Sequence, residues 1–245
     1  MFLETINIHK RYGAEEVLKG VTLQLAEHEM LSILGRSGSG KTTLLKVIAG
    51  LERPDEGEVL LEGKDLEPLP PNRRNIVYLY QEPLLFPHLN VFENVAFGLR
   101  LRKAPDKEIR RRVMEMLDSL ELPEQARKMP HQLSGGQKQR VSFGRALIIN
   151  PIVLLLDEPF GALDTETRAS MQQLLKRIAG EFAITALFVT HGLKEALLMG
   201  DRVGLMTEGR LKVYPSKKAF IGDARTGVQE EMDFWRRWLD WREAN

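Results

Sequence analysis

The sequence contains no cysteine among its 245 residues. That excludes disulfides, thiol catalysis and thiolate metal ligation, and it fits a reducing compartment. Long apolar runs are also missing: the most apolar stretch, residues 182–189, falls far short of the roughly 20 residues that span a bilayer. The N-terminus alternates apolar and polar residues and carries no signal-peptide core. A role at a membrane would therefore need another chain to hold this one there. Net charge is nearly absent, formally +1, so overall electrostatics gives no argument for a nucleic-acid partner. No internal repeat and no low-complexity tract is visible. What remains is an ordinary globular composition, 43% hydrophobic and 28% charged, at a length suiting one α/β domain or one domain with a subdomain.

Apolar periodicity orders the chain. Phe2, Ile6 and Ile8 fall in a short alternating run, and residues 17–25 read as a second strand with Val21, Leu23 and Leu25 on one face. Residues 30–34 form a short apolar strand feeding Gly35, and 41–49 read as a helix stopped by Gly50. A hairpin strand is expected at 59–61, a proline-rich loop at 68–72 and a strand at 76–80. From about residue 83 to 150 the pattern turns helical; Ile109, Val113, Met116, Leu117 and Leu120 share one face. Arg110, Arg111 and Arg112 lie largely on the other sides, as a solvated face does. Apolar strands then recur at 152–156, 184–189, 203–206 and 211–214, with helices at 163–179 and 194–198 between them. Strands alternating with helices imply a doubly wound α/β core.

Three motifs carry chemistry. Gly35-Arg36-Ser37-Gly38-Ser39-Gly40-Lys41-Thr42 fits the phosphate-binding loop pattern between a strand and a helix. Glycines let the backbone wrap phosphates, successive N–H groups donate to their oxygens, and the helix adds the positive end of its dipole. Lys41 is expected to reach the β- and γ-phosphates, and the Thr42 hydroxyl to ligate Mg²⁺. A chance match in such a chain is on the order of 1% from residue frequencies. Asp157 ends an apolar strand where α/β folds bind ligands, which suits a Mg²⁺ ligand, and Glu158 beside it could polarise an attacking water as general base. The plain alternative for that pair is a helix cap before Pro159. Leu133-Ser134-Gly135-Gly136-Gln137 opens a further helix with a second anion-binding start. One nucleotide does not need two such sites from the same chain.

At these residues the sequence resembles the nucleotide-binding subunits of ABC transporters, over nearly the whole chain to about Tyr214. Residues 35–42 look like Walker A, 152–158 like Walker B and 133–137 like the family signature. Gln81 sits at the Q-loop position, Ala162-Leu163-Asp164 at the D-loop, His191 at the switch histidine, and Tyr12 at the aromatic that stacks on adenine. Taken singly, Gln81 could be a polar strand end, His191 a helix-start residue, Asp164 a helix cap and Tyr12 a turn aromatic. The resemblance implies a P-loop NTPase core with an N-terminal antiparallel β subdomain and a helical insert, over residues 1–220, followed by a C-terminal helical extension at 221–245. It implies ATP and Mg²⁺ as ligands. Tyr12, Gly35, Ser37, Gly38, Ser39, Gly40, Lys41, Thr42 and Thr43 would hold the nucleotide, with Thr42, Gln81 and Asp157 at the metal. Glu158, His191, Gln81 and Lys41 would serve hydrolysis. Two cassettes would pair head to tail, so that Ser134, Gly136 and Gln137 face the γ-phosphate held by the other copy; Asp164 would also bind nucleotide.

Residues 80–89 and 91–99 are similar to importer cassettes, above all the sugar, polyamine, ferric-iron and sulfate group, in which this region forms a groove for a permease helix. Leu84, Leu85 and Phe86 could instead simply pack the insert. The implied function is ATP hydrolysis driving solute import through separate transmembrane subunits, with an external solute-binding protein, at the cytoplasmic face of the membrane. Export, or a non-transport ABC ATPase, are the alternatives. Two departures stand out. The group's C-terminal regulatory β domain has no counterpart before Asn245, and Gly192 follows the histidine where the family often has an acidic residue. The chain closes on residues 228–243, where Phe234, Trp238, Leu239 and Trp241 lie near one helical face with Arg236, Arg237 and Arg242 interspersed. That helix is expected to dock on the core, or else to contact a second copy or a membrane-proximal surface.

Overall fold

The computed structural model describes residues 2–244. The chain opens with β1 (Leu3–Tyr12) and β2 (Glu15–Leu25), then β3 (Met30–Gly35) and α1 (Lys41–Ala49), followed by β4 (Glu56–Leu61), β5 (Lys64–Asp65) and β6 (Ile76–Leu79). Three helices come next: α2 (Val91–Leu101), α3 (Asp106–Ser119) and α4 (Gly135–Leu147). The remainder is β7 (Val153–Asp157), α5 (Thr165–Glu181), β8 (Ala186–Thr190), α6 (Leu193–Met199), β9 (Arg202–Thr207), β10 (Arg210–Val213), α7 (Lys217–Ile221) and α8 (Val228–Ala244). A four-stranded antiparallel sheet has the order β2-β1-β4-β5. A six-stranded sheet has the order β10-β9-β3-β8-β7-β6, parallel except for the β9–β10 hairpin.

Both faces of the larger sheet are covered, and β7 shows why its sequence is continuously apolar. Side chains alternate across a strand, so Val153 and Leu155 point to one core, with α1 and the antiparallel sheet. Leu154 and Leu156 point to the other, with α2 to α5. Buried on both sides, β7 carries no polar residue until it ends, at Asp157. The helical face read from the sequence is the buried one: Ile109, Val113, Met116, Leu117 and Leu120 are all at most 5% exposed.

Two expectations need correction. Ile6 does not share a face with Ile8; it is exposed, while Leu3, Thr5 and Ile8 are buried. Asn7 takes a left-handed φ of 52°, and the pairing register shifts there. Such a bulge inserts one residue and reverses the parity of everything after it. Residues 83–90 are irregular rather than helical. The buried Asn94 holds them: its side-chain amide accepts from Phe86 N (2.8 Å) and donates to the carbonyls of Phe86, Leu89 and Asn90. Helix α2 begins only where Asn90 caps it by accepting from Glu93 N.

Candidate functional site

In a parallel sheet the carboxyl ends of the strands share an edge, and ligands bind there. Here β3 ends at Gly35, β7 at Asp157 and β8 at Thr190, in neighbouring register. A cleft of about 1190 Å³ opens at that edge, lined by Gly35, Arg36, Ser37, Gly38, Ser39, Gln81, Glu158 and His191 among others.

The glycine loop is shaped by backbone constraints that only glycine meets. Gly40 has φ 104°, and a Cβ there would lie 2.9 Å from Val17 O and 3.0 Å from Met206 Cε. Gly38 has φ 78° with open space around it, on the cleft side. The loop thus abuts β2 at one point and stays open at another, where a ligand's oxygens can approach the backbone. Helix α1 starts at once, with no side chain capping its first turn and no acidic residue in it. Its N–H groups are left to an external acceptor, and the helix dipole favours an anion. Ser39 Oγ is buried with no hydrogen-bond partner among the described residues.

Lys41 is 5% exposed. Its ammonium donates to Gly35 O (2.8 Å) and Arg36 O (3.0 Å) and stands 3.6 Å from Glu158 Oε1. The other carboxylate oxygen of Glu158 accepts from His191 Nδ1 at 2.8 Å. Glu158 itself sits at a left-handed φ of 45°, directly after β7. Such a conformation in a non-glycine residue costs on the order of 1–3 kcal/mol and clusters at functional sites. It is fixed by Glu158 N donating to Val189 O and Glu158 O accepting from Gly161 N. Beneath this pair, Thr42 Oγ1 donates to Asp157 Oδ1 (3.1 Å). Gln81 lines the cleft, and its amide packs so closely on Gly161 that a Cβ there would meet it at 2.8 Å.

A participant that the sequence did not disclose is Tyr78, whose phenol donates a short hydrogen bond to Asp157 Oδ2. Burial, reinforced by that carboxylate, pushes its pKa well above the usual phenol value. The pairing follows from register: Tyr78 lies opposite Leu155 on β7, so its side chain reaches the end of that strand. Apolar periodicity cannot tell such a tyrosine from a packing aromatic. Tyr78→Phe is expected to leave a carboxylate only 8% exposed short of a donor. A hydrogen bond to a charged group contributes about 1.5–3 kcal/mol, and a chain of this size shifts about 2–4 °C per kcal/mol. Far-UV circular dichroism should therefore show unfolding several degrees lower; an unchanged midpoint would mean that water replaces the phenol without cost.

Other expected residues stand apart. Among the described residues, the cleft lining omits Gly40, Lys41, Thr42, Thr43 and Asp157, which join the loop, α1 or the strand end directly, and it also omits Ser134, Gly136, Gln137, Asp164 and Tyr12, which do not. Ser134 and Gln137 bond to each other instead: Ser134 Oγ accepts from Gln137 N (3.3 Å) and Gln137 Oε1 accepts from Ser134 N (3.0 Å), capping α4. Asp164 caps α5, accepting from the N–H groups of Thr167 and Glu166, and the bonding from Thr167 above all holds its pKa below the usual value. Tyr12 is exposed at the β1–β2 hairpin end, with Lys10 Nζ 5.6 Å from its ring centre. Thr43 is partly buried on α1. Of the apolar residues after Gln81, Leu84 is exposed. Leu85 packs on the helical core, and Phe86 lies between Phe97 (rings 4.4 Å apart) and the Arg145 guanidinium at 5.1 Å.

A glycine loop of the phosphate-binding pattern, a strand-end aspartate bonded to Thr42 and a lysine–glutamate–histidine chain that reaches the cleft through Glu158 and His191 are the arrangement of a P-loop cassette. The ABC transporter family pattern matches residues 18–161. The chain is 48% identical over 209 residues to the molybdate/tungstate import ATP-binding protein WtpC of Pyrococcus horikoshii, covering 85% of this chain and 60% of that one. It is 50% identical over 205 residues to the spermidine/putrescine import ATP-binding protein PotA of Thermotoga maritima, covering 84% of this chain and 56% of that one. It thus spans less than two thirds of the length of these relatives. Among solved structures, the dimeric bacterial ABC transporter cassette MJ0796 superimposes with a TM-score of 0.76 at 36% identity, covering 86% of this chain and 96% of that one. The same cassette has been solved in a post-hydrolysis state with ADP and Pi, with a TM-score of 0.75. The chain belongs to the ABC transporter family.

Proposed function

We propose that this chain is the ATP-hydrolysing subunit of a solute importer, working as a pair of cassettes beneath separate transmembrane subunits. The observation that carries the chemistry is the contiguous chain Lys41–Glu158–His191 on the phosphate-loop cleft. The ammonium of Lys41 would exchange its loop carbonyls for the β- and γ-phosphate oxygens, and the N–H groups of the loop and of α1 would take the remaining oxygens. Glu158 Oε1 would accept a proton from the attacking water. His191, bonded to Oε2, would fix the carboxylate's orientation and hold the γ-phosphate. Tyr12 would stack on the base, and Gln81 would report to the permease.

The donor set fits Mg²⁺. Thr42 and Asp157 supply oxygens 3.1 Å apart, with Gln81 on the cleft wall, and among the described residues no three His, Cys, Asp or Glu are grouped so as to hold a metal ion by themselves. Mg²⁺ characteristically takes one or two protein oxygens and completes its shell with water and phosphate. Held by Thr42 and Asp157, it would offset the negative charge of the nucleotide's phosphates.

Two features support the paired arrangement. Ser134, Gly136 and Gln137 head a helix away from their own cleft, and the similar cassette MJ0796 is described as dimeric. The import direction is supported by the names of the relatives and by the exposed Leu84 beside Gln81. No helix among the described residues is long and apolar enough to cross a membrane, which agrees with attachment through permease subunits at the cytoplasmic face. The test is phosphate release from ATP by the purified chain in Mg²⁺ over a wide range of protein concentration. Specific activity should rise steeply with concentration. No hydrolysis at any concentration would overturn the enzymatic reading, and constant activity from a proven monomer would overturn the pairing.

A further inference from the structure

The end of the chain enters the wall of the nucleotide cleft. Arg225, Thr226 and Gly227 line it opposite residues 35–39, and so does Glu231 in the first turn of α8. The approach is rigid: Asp223 accepts from Lys212, Tyr214 and Arg225 at 2.6–2.8 Å, tying β10 to the segment before α8. Val228 is buried in a small core with Leu34, Val203, Tyr214 and Phe220. Lys194 of α6, three residues after the histidine, then reaches back to α8. Its ammonium is 3.7 Å from Glu231 and 5.2 Å from the centre of the Trp235 ring.

Beyond that clamp α8 carries its apolar residues outward. Met232, Phe234, Trp235 and Leu239 are 44–54% exposed, and Trp238 and Trp241 are exposed as well. The helix therefore docks by its first turns only, against the expectation that it would lie on the core; the side chain of Arg242 lies outside the described residues. The exposed part of this face amounts to roughly 600 Å² per copy, judged from the size of such side chains. That is at or beyond the largest apolar patch that monomers usually show.

We propose that the apolar face of α8 docks on a second copy of this chain, α8 against α8, and holds the two cassettes together before nucleotide closes them. This rests on the paired reading of the site. Three observations choose this occupant. The face is continuous with the cleft wall on which the partner's lid would close, because Glu231 also borders the neighbouring cleft lined by Gly161, Thr165 and His191. A self-complementary contact repeats the patch twice, to roughly 1,200 Å², the lower bound for a specific interface. And the opposite face is not the basic one that an anionic lipid surface would attract: Asp233 pairs with Arg236 at 3.2 Å, and Glu230 lies in the first turn.

The experiment is sedimentation velocity of the full chain without nucleotide, comparing wild type with the double variant Phe234→Glu/Leu239→Glu, both sites being exposed and outside the catalytic machinery. The wild type should dimerise and the variant's dissociation constant should rise about tenfold or more, corresponding to 1.4 kcal/mol or more. Both should still form an ATP dimer when Glu158→Gln is added, which keeps the nucleotide sandwich separable from the α8 contact. Equal association of wild type and variant without nucleotide would overturn the proposal. So would a monomeric wild type that binds phosphatidylglycerol vesicles through the same two residues. Loss of the ATP dimer in both, with nucleotide-free dimerisation intact, would instead overturn the sandwich and leave α8 standing.

Discussion

Glu158→Gln is expected to bind ATP like the wild type while losing on the order of 10²–10⁴-fold in turnover, the range that a positioned general base supplies. The glutamine keeps the size of the side chain and can still take part in a hydrogen bond with His191, whose Nδ1 lies 2.8 Å from the carboxylate. It cannot accept the proton of the attacking water. ATP that is bound and not cleaved should hold two copies closed, so the same substitution combined with Phe234→Glu/Leu239→Glu, which removes the α8 contact, should sediment as a dimer in Mg²⁺ and ATP and revert when ATP is washed out. Phosphate release and sedimentation check both halves. Near-normal hydrolysis would assign the base elsewhere.

The second large effect is at Lys41. Replacement by alanine removes a buried ammonium whose nearest partners are two loop carbonyls and the Glu158 carboxylate. In the nucleotide complex it would face the β- and γ-phosphates, where each charge-assisted hydrogen bond contributes about 1.5–3 kcal/mol. Two such bonds correspond to a loss of about 10²-fold or more in ATP affinity. Equilibrium binding of ATP is the measurement, with circular dichroism confirming the fold, because the variant also leaves Glu158 without its cation. ADP should suffer less than ATP, since it has no γ-phosphate for the lysine to reach. Equal losses for the two nucleotides would place the lysine on the β-phosphate alone.

Much of the fold was legible because burial on both sides of a parallel sheet leaves a strong trace. The runs at 30–34, 152–156 and 184–189 are apolar without alternation apart from Ser32 and Thr185, and each supplies a central strand. The glycine loop was legible because its φ values and close approaches admit only glycine, as Gly40 shows. What escaped was whatever depends on a single backbone departure or on a contact across strands. Asn7 at positive φ carried Ile8 onto the buried face and left Ile6, which precedes it, on the other, and no apolar pattern encodes that. Tyr78 reaches Asp157 only because β6 and β7 pair in a particular register. Ser134 and Gln137 illustrate the opposite difficulty: the residues that mark the signature are also those of a good capping box, and in one chain only the cap can be seen.

The placement of the three tryptophans has a spectroscopic consequence. All of them, Trp235, Trp238 and Trp241, lie on α8, whose later turns make little contact with the core. Intrinsic tryptophan emission therefore describes one peripheral helix, whereas far-UV ellipticity averages over the whole chain. Coincidence of two such probes is the usual test for all-or-none unfolding. In this chain the two curves can separate while the core still melts as one unit, because they watch different bodies. A fluorescence midpoint below the ellipticity midpoint would mark the release of α8 and would not be evidence of a partly folded cassette.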